Sequence, residues 1–145
     1  MDFPLIDRVN AAQKCADAFM FEPFVWGRAD CAHLASLALT ELNHPDPLKG
    51  FRRYSTEAGA KRALLKAGFA TIEDVLDQKV GLTRIPPASA LPGDIVAIPG
   101  GDNAEWSALG VVLDQDRVIA FADLGSGPRG EMGSLIAATT AWRSI

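Results

Sequence analysis

Cys31 is the residue best placed for covalent chemistry. A thiol attacks as its thiolate, and a cysteine in the first turn of a helix gains from the partial positive charge of the free backbone amides there. Asp30 supplies an N-cap for a helix running to about Leu42, which puts Cys31 in that first turn. The same amides can stabilise an oxyanion, so acyl transfer is the chemistry this position would support. It needs a base. The chain has two histidines. His33 lies two residues after Cys31, roughly 200° around the helix from it, and His44 lies about 20 Å further along the axis if the helix persists.

Carboxylates make poor substitutes. Asp94, Asp102, Asp114 and Asp123 fall on or near the expected strands, but a group titrating near ~4 mismatches a thiol near ~8.5 and its charge raises the thiol further. Asp30 pushes the same way unless Arg28 offsets it. No metal site is expected, because Cys31 and His33 lack a second ligand pair. Gly93-Asp94 reads as a turn and strand start; no glycine-rich phosphate cradle with a lysine follows, so no nucleotide or other cofactor is implied.

The elements that must position Cys31 follow from hydrophobic periodicity. Leu5, Ile6, Val9, Ala12, Ala16 and Phe19 recur at helical spacing, predicting a first amphipathic helix over 5–19 that carries Cys15. The stretch Met20 to Ala29 is broken by Pro23 and Gly27 and rich in aromatics. Phe24 and Trp26 are expected to anchor it in the core, with ligand stacking open to them only beside an exposed groove. After a loop over 45–54, Ser55 or Thr56 caps a helix through Lys66 that stops at Gly68. Thr71, with Asp74 in the capping-box position, starts a short fourth helix.

From Val80 onward Pro86, Pro87 and Pro92 punctuate short β-branched runs. Asp94–Ile98, Leu109–Leu113 and Arg117–Phe121 read as strands, the last two joined as a hairpin across Asp114-Gln115-Asp116. Gly100-Gly101-Asp102-Asn103 reads as an exposed turn and Gly125 to Gly130 as a mobile loop. Near the end, Ala137 to Ala141 can make a helical turn before Trp142 to Ile145 runs extended. Helices followed by antiparallel strands predict an α+β fold in one domain over 1–145.

Bulk properties narrow the partners. With 145 residues, 48% hydrophobic and 22% charged, the chain suits a globular domain. Its formal charge is −4 and its densest basic pairs are Arg52-Arg53 and Lys61-Arg62, so no footprint for a nucleic-acid backbone is expected. No apolar run approaches a membrane span of ~18 residues. The acidic N-terminus lacks the early positive charge of a signal peptide, which points to a cytoplasmic site of synthesis. Cys15 and Cys31 are expected to stay reduced there.

Trp26-Gly27, Asp30-Cys31, Leu91-Pro92-Gly93-Asp94-Ile95-Val96 and Leu109-Gly110-Val111-Val112, in this order, resemble the motifs of the NlpC-type cysteine peptidase superfamily. The resemblance implies a papain-like fold with helices packed on a small antiparallel sheet. It implies Cys31 at the nucleophile position, with Trp26, Gly27, Asp30 and Asp94 lining the site. The superfamily's histidine opens the strand before Gly110 and falls on Ala108, which cannot take a proton; a shift by one gives Ser107 or Leu109, neither a base near neutral pH. With Arg53-Tyr54-Ser55-Thr56-Glu57-Ala58-Gly59-Ala60 and Ala141-Trp142-Arg143, the chain is also similar to phage and prophage tail-associated proteins of this superfamily.

That similarity implies a component of a tail tip, baseplate or hub, assembled in the host cytoplasm, with other tail proteins as partners. From the charge distribution and the short apolar runs, neither nucleic acid nor a membrane is expected as a partner. The alternative is an active peptidase or amidase that cuts peptidoglycan stem peptides through Cys31 and an unrecognised base.

Overall fold

The structure, a computed structural model, describes residues 4–99 and 107–145. The helices come first, as the periodicity predicts: α1 Pro4–Phe19, α2 Cys31–Glu41, α3 Glu57–Lys66 and α4 Ile72–Asp74, which runs on as a π-helical segment over Val75–Val80. Side chains start three of them. Asp30, Thr56 and Thr71 each accept a backbone N–H three residues on, and Thr71 with Asp74 completes the capping box. Asn43, in the left-handed region at φ 70°, turns the chain away after α2.

Six strands follow among the described residues: β1 Thr83–Ile85, β2 Ile95–Ile98, β3 Ala108–Val112, β4 Arg117–Asp123, β5 Pro128–Ser134 and β6 Thr140–Arg143. They form one antiparallel sheet in the order β1-β6-β2-β3-β4-β5. The fold is α+β. The β3–β4 hairpin forms where expected: Asp114 Oδ1 accepts the amides of Asp116 and Arg117 and so closes the turn.

Strand alternation sorts the sheet into two faces. Ile95, Ala97, Leu109, Val111, Ile119 and Trp142 point to the helices and pack with Cys15, Leu34, Leu39 and Leu76. Val96, Val112, Val118 and Ala141 point the other way, under Ala90 and Leu135. Each fully buried Leu, Ile or Val in these layers contributes about 1.5–3 kcal/mol relative to exposure, so the helical face carries the larger share.

Several expectations need correcting. The Gly125–Gly130 stretch is not all loop: from Pro128 it belongs to β5, paired with β4 over Pro128–Ser134. Gly130 is required there, because a Cβ would sit 1.7 Å from the Phe19 carbonyl oxygen, where the strand edge crosses the end of α1. The turn expected over Ala137–Ala141 is a 3-10 turn at Leu135–Ala137, after which β6 takes over at Thr140. The α1 boundaries hold, but its buried stripe is Arg8, Ala11, Ala12 and Cys15, with Leu5, Ile6 and Val9 exposed. The glycine turn at 100–103, with Asp102, lies outside the described residues. No helix among the described residues is long and apolar enough to cross a membrane.

Candidate functional site

The approach to Cys31 is a tight loop. Val25 and Ala29 exchange both backbone hydrogen bonds (2.9 and 2.8 Å), which narrows the loop so that Asp30 emerges in extended conformation to cap α2. Phe24 packs edge-on against Trp26 (4.8 Å between ring centroids) and Phe121 (5.6 Å), fastening the loop to β4. Gly27 sits at φ +82°, and a Cβ there would lie 1.9 Å from the Tyr54 carbonyl oxygen. Only glycine lets the two segments close.

Asp30 is the centre of this arrangement. It is almost fully buried, and both carboxylate oxygens are satisfied. Oδ1 accepts the His33 amide (2.9 Å) and lies 2.7 Å from His33 Nδ1; Oδ2 accepts the Gly27 amide (2.9 Å) and the Tyr54 hydroxyl (2.7 Å). Burial alone would raise this carboxyl. Hydrogen bonds from the His33 ring and Tyr54, then from the His33 and Gly27 amides, outweigh it and hold the group below its ordinary value of 3.8. Arg28, the residue that could have offset the charge, is exposed and makes no ion pair among the described residues.

Cys31 is half-buried, and its thiol is pushed up from 9.0 to about 11. Burial is the main cause, the Asp30 charge adds to it, and the amides of Leu109, Cys31 and Ala32 oppose it. The helix-head amides therefore act as expected but lose to desolvation. Tyr54 is driven up strongly, by burial first and then by Asp30 and Cys31. A thiol, a carboxylate and a phenol thus stand together, and among the described residues no lysine or arginine acts on the thiol.

Ala108, where the resemblance would put a histidine, does not face the thiol. Ala108 pairs with Ile98 on the sheet face turned away from α2, whereas Leu109 points into the helical core. A histidine at 108 would be directed away from the thiol; the residue at the start of β3 that faces Cys31 is Leu109. Nor does either native imidazole reach it. The His33 ring is held by Asp30 and lies 6.3 Å from the Tyr54 ring, while His44 Nε2 bonds the Ser144 carbonyl.

Trp26, Asp30 and Cys31 do come together, with Tyr54, Phe51 and Leu64, around a largely apolar cavity of about 50 Å³. Gly27 is not in its lining and acts from behind it, through the amide it donates to Asp30. That space suits a water or another small group rather than a peptide. Asp94 does not join them. It is fully buried beneath Arg8, Arg143 and Ser144, between the end of the chain and α1. Asp114 closes its hairpin and Asp123 accepts the Gly125 and Gly127 amides.

A family model matches residues 6–144. The chain belongs to the DUF6950 family, described as a domain of unknown function. No curated protein and no solved structure matches it. In this DUF6950 chain, Tyr54 is the site residue that residue-type reasoning passes over. As the sole tyrosine, between two arginines and a helix cap, it carries a weak signal that only its bond to Asp30 makes legible. Among the described residues no group of three or more His, Cys, Asp or Glu side chains is arranged to hold a metal.

Proposed function

We propose that this chain is a non-catalytic module on a papain-like, NlpC-type scaffold, acting by protein binding in the tip of a phage tail. The observation that carries the non-catalytic part is the surroundings of Cys31. Its sulfur is met by a carboxylate, a phenol and main-chain amides, with Leu109 at the strand position where a base would stand. The scaffold assignment is supported by a cysteine heading a helix that packs across β3, together with the Trp26-Gly27 loop leading into it. The tail-tip setting, assembly in the host cytoplasm and other tail proteins as partners rest on the sequence resemblance.

Thiol reactivity tests this reading without a guessed substrate. A thiol two units above its ordinary value holds about 100-fold less thiolate near pH 8. Iodoacetamide should therefore modify Cys31 in the native protein on the order of 100-fold more slowly than in the urea-unfolded chain, with the rate still climbing above pH 9. Cys15, pushed up to about 12 by burial, should be slow as well. A native Cys31 that reacts faster than the unfolded one, with a plateau near neutral pH, would overturn the reading and favour a peptidase or amidase acting on peptidoglycan.

A second test concerns assembly. In a phage carrying Cys31→Ser, tails should form and infect as in the parent, because the thiol serves packing. Intact particles that fail only at cell entry would point to lost catalysis.

A further inference from the structure

Positive charge is distributed unevenly over this acidic chain. Arg8, Arg84, Arg117, Arg129 and Arg143 each pair with a carboxylate at 2.5–3.2 Å. Arg52, Arg53 and Arg62 do not: all three are exposed, and none has a hydrogen bond or ion pair through its side chain among the described residues. They nonetheless border one open hollow of about 390 Å³ at the start of α3, alongside the Ser55 and Thr56 hydroxyls. Arg52 also borders an adjoining hollow, lined by Lys66, Phe51 and Ala63 as well. In a chain with 18 acidic and 14 basic residues, these four cations border two neighbouring hollows with no ion pair of their own among the described residues, while Glu57 on the same helix is taken by Lys61 at 3.7 Å.

We propose that these hollows along α3 are a docking site for an acidic segment of a partner protein. Arginine forks donate to carboxylates in bidentate geometry, and unpaired ones give up no existing ion pair on binding. The apolar floor of Phe51 and Ala63 takes an apolar side chain set among the acids. A protein segment fits better than nucleic acid. The cations stop at the two hollows rather than tracking a backbone, and the net charge of −4 opposes a long polyanion. This site stands on charge and shape alone, and holds whether or not Cys31 is catalytic.

The test uses the full chain and a fluorescently labelled hexaglutamate peptide, read by anisotropy at low and near-physiological ionic strength. The wild type should bind it, more weakly as salt rises, and Arg52→Glu with Arg62→Glu should weaken binding about tenfold or more. Thermal unfolding of that variant should match the wild type, since both side chains are exposed and unpaired. Absence of binding by the wild type overturns the proposal, as does equal binding by the variant. A single-stranded oligonucleotide of equal charge that binds more tightly than the peptide also overturns it.

Discussion

Replacing Asp94 with alanine is expected to destabilise the fold by about 3–5 kcal/mol, the usual cost of breaking a buried ion pair by removing one partner. Asp94 is fully buried and Arg8 nearly so. Its Oδ1 accepts from Arg8 (2.7 Å), the Ser144 amide (2.8 Å) and the Ser144 hydroxyl (2.9 Å). Its Oδ2 accepts the Leu91 amide (2.9 Å) and lies 3.2 Å from Arg143. Arg8 also reaches the Pro92 and Ile145 carbonyls, so one carboxylate ties α1 to the start of β2 and to the end of the chain.

Without that carboxylate the Arg8 guanidinium stays buried and uncompensated. Asp94→Asn should recover little, because it restores shape but not charge. Urea unfolding measures the effect, as a lower midpoint at unchanged slope. A loss below about 1 kcal/mol would show that Arg8 escapes to solvent when unpaired.

Asp30→Ala is expected to cost about 2–4 kcal/mol. The cap on α2 contributes about 1 kcal/mol of this, and leaving the Gly27 amide, the Tyr54 hydroxyl and the His33 ring without their acceptor accounts for the rest. The Trp26–Gly27 loop should loosen with it, raising the reactivity of Cys31 toward that of the unfolded chain as the cavity opens. The same carboxylate makes the fold sensitive to acid. Because its folded value lies below 3.8, its contribution is complete above that pH and is lost as pH falls through the lowered folded value. Asp30→Asn should therefore flatten the acid side of the stability profile below about pH 4. A profile that keeps its acid slope in Asp30→Asn would assign the effect to another carboxylate.

Local signals placed the helices well. Asp30, Thr56 and Thr71 announce helix starts because their short oxygens accept amides three residues on, an interaction complete within one turn. The hairpin at Asp114 is legible for the same reason. β5 is not, since a strand of glycine and charge has no propensity of its own and exists through its register with β4 and its close approach to Phe19. The apolar residues at the start of α1 misled about its buried face. Arg8 goes inside because Asp94, 86 residues away, neutralises it there.

At the candidate site, the amino-acid sequence by itself determined the cap, the thiol behind it, the aromatic loop before it and the scarcity of imidazole. These are matters of residue type and short spacing. Only the tertiary structure decided that Leu109 rather than Ala108 faces the thiol, that Tyr54 completes the Asp30 network, and that Asp94 holds the chain's end to α1 instead of lining the site. Each of those depends on which face a strand turns to a helix, or on contacts between residues far apart in sequence. Such contacts are set by the packing of the whole domain, to which no short window of residues has access.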